Sequence, residues 1–491
     1  MLGAAMANIR PLPGFDPTPD RPERMTRRQT LTRGARLVAS ASLGAQIMAA
    51  TGATDAVAAR VRQVAGAAAD KPGYGPLTQH TGVFSLPEGF RVVSFGRAGT
   101  PMSDGLRTPG AHDGSAVVDA GNGRVSLLRN QEGDGAGRAI SRRNAYDRVA
   151  VGGVTRSIFD TTTGQLVEAG LVLNGTDNNC NGGLTPWGSW LSCEESTVGR
   201  GDGFEKPHGY VFEVPTSATS PVDPVPIRAM GRFEHEACAC DPASGIVYMT
   251  EDNGDPGDGF YRYLPDQTGR LHAGGTLQML CVEGRSRYDT AKGQKVGRTL
   301  ACEWVTIKDP DPTDAEKHPD AVYQQGRAQG AARFLGLEGA EFSGGSVYFT
   351  ASEAGDAGRG QLWRYTPVGL RKGRLTLLFE SHARHVLDQP DSITVSPRGA
   401  VVVGEDGDGE DRDGGTNFLR FLTPEGRLET FARNDQRLRL HDYDDELPRK
   451  AIGRSEWSGC CYSPDGRWLF VHIQYPGETF AITGPWEKGW M

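Results

Sequence analysis

The sequence predicts an all-β chain closed as a six-bladed β-propeller with a metal-lined central channel, and three observations predict it. Glycine is in excess, 67 of 491 residues beside 30 Pro, which calls for many tight turns rather than long helices. One layout recurs six times: a small or acidic residue next to Gly, Ser or Ala, an apolar strand, a turn, and a returning strand with a polar end. A second, more aromatic strand with period-2 alternation follows every copy, as half-buried strands require.

The copies open at Asp113, Cys180, Glu236, Glu338, Asp391 and Ser458, and their strands end at Asn130, Glu194, Glu251, Ala351, Glu405 and His472, offsets of 13 to 17 residues. Four carry a plain turn: Gly121-Asn122-Gly123, Asp241-Pro242-Ala243-Ser244-Gly245, Ser396-Pro397-Arg398-Gly399 and Ser463-Pro464-Asp465-Gly466, each rich in the residues that turns need. The aromatic strands are Ser157-Ile158-Phe159, Tyr210 to Val214, Phe260 to Leu264, Leu362 to Tyr365, Phe418 to Leu422 and Thr479 to Ile482. Copies open 67, 56, 102, 53 and 67 residues apart, room for about four short strands each, with an insertion at about 265–335. Val83 to Phe95 offers a strand to close the ring. A pair of β-sandwiches would explain the alternation but not the shared offset.

Net charge is −8, which excludes the clustered positive charge that a nucleic-acid partner needs. Eight Cys, with no CxxC pair, form neither a disulfide scaffold nor a zinc ribbon. Thr26-Arg27-Arg28-Gln29-Thr30-Leu31-Thr32 precedes a mildly apolar run from Leu37 to Ala59 and resembles a twin-arginine export signal, with Ala56-Val57-Ala58 as its cleavage site; a buried amphipathic helix is the alternative. The expected organisation is a signal over 1–58, a linker over 59–80 and one propeller over 81–491. Loss of residues 1–58 leaves 46 basic and 57 acidic residues, a net charge of −11. No other run is apolar enough for a membrane span, so the mature form is expected in the periplasm or secreted, off the membrane and monomeric.

Strand ends in a propeller converge on the channel, which would gather Cys180, Glu194, Glu236, Glu251, Glu338, Asp391 and Glu405. Carboxylates packed together repel one another and take up protons unless cations neutralise them. Oxygen donors suit calcium, and a thiolate adds softer chemistry suited to a transition metal. For any one acid the alternative is a turn cap or a solvated side chain. Cys180 opens Asn179-Cys180-Asn181-Gly182-Gly183, a polar turn with little apolar packing to offer a buried thiol. For Glu132, Asp252, Glu353 and Asp406 two readings stay open, support for the ligands or solvated acid.

Cys180 to Glu195 (CNGGLTPWGSWLSCEE), Gly231-Arg232-Phe233-Glu234-His235-Glu236, Asp391 to Pro397 and the closing stretch from Glu456 to Trp486 resemble the signature of the PhoX-type alkaline phosphatases over nearly the whole mature chain. The resemblance implies a six-bladed propeller that uses iron and calcium to hydrolyse small phosphate monoesters, exported through the twin-arginine machinery. It implies iron ligation by Cys180 and Glu236, and metal binding by Glu194, Glu195, Glu251, Glu338, Asp391 and Glu405 without dividing them between iron and calcium. Asn130, in Arg129-Asn130-Gln131-Glu132, resembles an Asn that contacts the phosphoryl group. The chain departs from the pattern at Gln131, where His is usual, at His472, where Asn is usual, and at Gly336, where a phosphate-contacting Arg is usual; Arg333 is the nearby candidate to replace that Arg. Two other functions fit the same residues: a calcium-dependent lactonase or other ester hydrolase, and a metal-bearing propeller that binds a ligand without catalysis.

Overall fold

The computed structural model describes residues 73–407, 417–436 and 455–491; the expected export signal lies outside them. The chain begins with β1 (Gln79–His80), β2 (Phe84–Leu86) and β3 (Arg91–Phe95). Next comes an antiparallel meander of β4 (His112–Gly121), β5 (Arg124–Gln131), β6 (Gly152–Asp160) and β7 (Gln165–Thr176). A three-stranded sheet follows, β8 (Asn179–Leu184), β9 (Ser189–Glu194) and β10 (Val211–Pro215). The third group is β11 (His235–Cys240), β12 (Val247–Glu251), β13 (Phe260–Pro265) and β14 (Gly275–Val282), then β15 (Thr299–Thr306) and the helix α1 (Ala321–Ala328). The fourth is β16 (Leu337–Ser343), β17 (Ser346–Ala351), β18 (Gln361–Val368) and β19 (Lys372–Glu380). The fifth is β20 (Pro390–Val395), β21 (Val401–Glu405), β22 (Phe418–Leu422) and β23 (Leu428–Asn434), and the last is β24 (Trp457–Tyr462), β25 (Leu469–Ile473) and β26 (Glu478–Thr483).

The fold is all-β and propeller-like, but its sheets are not six equal units. β15, inside the expected insertion, pairs with the outer strands β14 and β19 at once and joins the third and fourth groups into one nine-stranded sheet. Two edges that would otherwise present unpaired N–H and C=O groups are thereby closed. The stretch from Val83 to Phe95 splits: β2 pairs with β23, while β3 pairs with β26 and completes the last sheet. Part of the expected linker is also docked, since Tyr74 packs edge-on against Phe90, Phe421, Phe431 and Trp486 and its hydroxyl donates to the Trp486 carbonyl at 3.0 Å.

The first strands β4, β8, β11, β16, β20 and β24 neighbour one another in that cyclic order, with β24 returning to β4. The apolar faces meet between successive sheets. Leu128, Val154, Trp190 and Phe212 fill one such seam, Leu127, Phe159, Trp468 and Phe470 another. Each fully buried side chain of this size contributes about 1.5–3 kcal/mol, so the seams hold the ring together and leave its axis to polar residues.

Candidate metal centre

Every first strand carries a one-residue bulge near its start. The pairing slips between His112 and Ser115, Asn179 and Gly182, His235 and Cys238, Leu337 and Ala340, Pro390 and Ile393, and Ser458 and Cys461. A bulge bends its strand and re-aims one side chain. The opening residue of every repeat, Asp113, Cys180, Glu236, Glu338, Asp391 and Ser458, is the second residue of its strand and sits at this irregularity. The residue after it faces the neighbouring strand at close range: a Cβ on Gly339 would stand 2.8 Å from the Asp391 carbonyl oxygen. That explains why the repeat pairs each acid with a small neighbour.

Among the described residues four groups of donor atoms result, each within 4.8 Å internally: Asp113, Glu132 and Cys180; Cys180, Glu195 and Glu236; Glu236, Glu338 and Asp391; Asp391, Asp406 and Glu456. Successive groups share Cys180, Glu236 and Asp391, so nine residues form one continuous line of ligand atoms. The Gln474 amide donates to Glu132 and, at 3.4 Å, to Asp113. Asn178 donates to Glu195 at 3.2 Å, and the Ser352 hydroxyl to Glu338 at 2.7 Å. Burial, followed by the Asp391, Glu236 and Glu195 charges, pushes the Asp113 carboxyl well above its ordinary range. Burial and then Asp113, Glu236, Glu132 and Glu195 do the same to the Cys180 thiol, and burial with Asp406 and Asp391 to Glu456. So much negative charge in one buried place is stable only with protons or cations on it. The donor set, eight carboxylates and one thiol, fits hard cations together with a softer one.

A family model described as alkaline phosphatase PhoX matches residues 137–477. The chain belongs to the PhoX alkaline phosphatase family. Among solved structures it resembles Pseudomonas fluorescens PhoX in complex with vanadate, a transition state analogue, at TM-score 0.61 and 18% identity over 83% of this chain and 97% of that one. A putative gluconolactonase (TM-score 0.38, 12% identity, 81% of this chain and 93% of that one) and a putative TolB from Agrobacterium tumefaciens (0.36, 12%, 77% and 92%) are more distant. No curated protein matches. As a PhoX-family protein the chain is a metal-dependent phosphatase.

Of the residues singled out by sequence, Cys180, Glu195, Glu236, Glu338 and Asp391 meet in the cluster. Glu194, Glu251 and Glu405 stand elsewhere. Each ends the second strand of its sheet and turns into that sheet, where it accepts N–H bonds from the start of the third strand. Gly209 and Tyr210 donate to Glu194, Gly259 and the Tyr261 hydroxyl to Glu251, and Phe418 to Glu405, which also pairs with Arg420 at 2.7 Å. Burial pushes Glu251 up to about 8, and Glu405 up to about 7 against the pull of Arg420. After Glu194 and Glu405 it is the next residue, Glu195 or Asp406, that reaches the cluster.

Asn130 lies behind the cluster. Its amide donates to the Cys180 and Asn181 carbonyls at 3.1 and 2.7 Å, and its oxygen accepts from Trp190 and Ser192. Both amide hydrogens are committed, so the side chain holds the backbone of Cys180 in place. Arg333 donates to the Pro256 carbonyl at 2.8 Å and pairs with half-exposed Asp289 at 3.2 Å. Asp113, Glu132, Asp406 and Glu456 complete the line of donors. Asp113 is legible as the opening acid of the first repeat, whereas Glu456 falls outside the repeated pattern.

Gly336 cannot simply take the Arg usual in the family. Its φ is +61°, and an added Cβ would stand 2.4 Å from Ser352 Oγ, the hydroxyl that holds Glu338. Gly336→Arg is expected to destabilise the protein by about 1–3 kcal/mol through backbone strain and to lower turnover of an aryl phosphate. Higher turnover in the variant would show that the position tolerates a phosphate clamp.

Proposed function

We propose that this chain is an exported phosphomonoesterase built as a six-bladed propeller, in which the nine-stranded sheet supplies two blades, and that its channel residues hold iron and calcium together. The line of four donor groups carries this reading. The group that contains a thiol, Cys180 with Glu195 and Glu236, suits iron, and the all-carboxylate group of Asp391, Asp406 and Glu456 suits calcium. When bound, such cations take up phosphate oxygens, offset transition-state charge and activate an oxygen nucleophile.

The chain's own residues do the rest. Asn130 and the bulge of β8 hold Cys180, Ser352 orients Glu338, and Gln474 ties Glu132 to Asp113. A cavity of about 370 Å³ lies along the first strands between Ser115, Asn181, Trp190, Ser392 and Tyr462, and none of the nine donors lines it.

Elemental analysis of the mature protein tests the reading, with iron and calcium both expected and the N-terminus reading from Ala59. Cys180→Ser is expected to lose iron and any thiolate-to-iron absorption while it keeps calcium. Iron content equal to the parent's would make Cys180 structural. Turnover of a lactone without turnover of an aryl phosphate would replace the phosphatase reading with the esterase one.

A further inference from the structure

Arg129 lies on β5 two residues before the channel-side end of that strand, but its guanidinium leaves the channel for the seam where the first sheet meets the last. There it is 2% exposed. Its Nη1 donates to the Thr479 hydroxyl at 2.6 Å and its Nη2 to the Thr155 hydroxyl at 3.2 Å, while Nε has no partner. Among the described residues no carboxylate charge acts on it, and burial alone pulls it down to about 9. Two imidazoles share the seam. The His112 and His472 rings are fully buried and perpendicular, with centroids 6.1 Å apart. His112 Nε2 bonds the Pro109 carbonyl at 2.9 Å, but His112 Nδ1 and both His472 nitrogens have no partner.

A cation taken out of water with only hydroxyls for company keeps most of its desolvation cost. A neutral imidazole carries one N–H: His112 spends its own on the Pro109 carbonyl and keeps a lone pair at Nδ1, while His472 keeps an unpartnered N–H beside Arg129 that adds to the cost. We propose that this seam is an anion site, which holds one small monovalent ion of chloride size against Arg129 and the free N–H of His472. Such an ion supplies the missing negative charge and gives the orphaned donors an acceptor in one step. The single charge of Arg129 calls for a monovalent ion. A Cβ on Gly459 would meet His472 Cδ2 at 2.3 Å, and one on Gly477 would meet His112 Cδ2 at 2.9 Å, so both rings are held against backbone. Because β3 and β26 of the last sheet meet β4 and β5 of the first here, the ion would also fasten the closure of the ring, apart from any role of the metal cluster.

Crystals of the mature protein grown with bromide in place of chloride test this directly. An anomalous peak in contact with Arg129 and His472 is expected. Water refined at that position with no halide peak would overturn the proposal. In solution, exchange of chloride for gluconate at constant ionic strength is expected to lower Tm, with a difference that grows with the logarithm of halide concentration. Arg129→Met is expected to abolish that dependence, and a Tm equally sensitive to halide in the variant would count against the site. If Arg129→Met does not fold, the bromide crystal of the parent decides alone. Neither readout requires phosphatase activity, so failure of the anion site and failure of the phosphatase reading are distinguishable.

Discussion

Glu236→Gln is expected to strip metal from the channel and to lower kcat/KM on an aryl phosphate by about 10³-fold, the scale on which loss of one electrostatic element at a reacting centre is felt. Glu236 belongs both to the group of Cys180 and Glu195 and to the group of Glu338 and Asp391, so one neutral substitution weakens two adjoining places at once. Glu132→Gln, at one end of the line, is expected to cost less. The control is Glu194→Gln. Glu194 is a single residue away from Glu195, yet it is held by His208 and by the Gly209 and Tyr210 N–H groups. Its variant is expected to keep its metal content and lose stability. Equal metal loss in Glu194→Gln and Glu236→Gln, read by elemental analysis, would mean that the division between the two rows of acids is wrong.

The largest effect on stability is expected at His208. This fully buried ring lies 2.7 Å from Glu194 and 3.5 Å from Asp147, whose side chains are buried as well. Burial by itself works against the imidazolium, but the Glu194 charge and the hydrogen bonds to Asp147 and Glu194 outweigh it and hold His208 at about 10. Burial likewise works against the Asp147 carboxylate, and there the bond from His208 with N–H bonds from Val149, Lys206 and Glu205 prevails, down to about 2. His208→Ala leaves two buried carboxylates without their cation and is expected to cost about 3–5 kcal/mol. The pH dependence follows from the two directions. His208 titrates higher in the folded than in the unfolded chain, so its contribution is complete below about pH 6.5 and fades as pH rises through about 10. Asp147 titrates lower when folded, so its contribution is complete above about pH 4 and fades as pH falls through about 2. Urea melts of parent and His208→Ala from pH 5 to 10 check the cost of the substitution and its fading as pH rises. A variant as stable as the parent at pH 6 would overturn the first, and a difference that persists undiminished to pH 10 the second.

Much of this molecule was legible from spacing alone. The shared offset of the repeats located the first strands to within a residue, because a hairpin of fixed length must return a polar end to the same side of the ring. Cys180, Glu236, Glu338 and Asp391 stand where the repeat opens, and all four reach the cluster. Less legible was the joining of two sheets by β15, since an added strand that caps two edges carries no periodic mark of its own.

What the sequence by itself determined was the repeated strand order and the acid at the head of most copies, because hydrophobic alternation, turn residues and spacing are local properties. Which of two adjacent acids faces the axis was decided only by tertiary structure. Side chains alternate along a strand, so a shift of one residue exchanges channel for sheet interior. The bulges re-aim the acids of the first strands, whereas at the ends of the second strands plain alternation turns one acid into the sheet and the next towards the channel. Hence Glu194 and Glu405 brace their sheets while Glu195 and Asp406 join the donors, a choice that no linear pattern of neighbouring carboxylates contains.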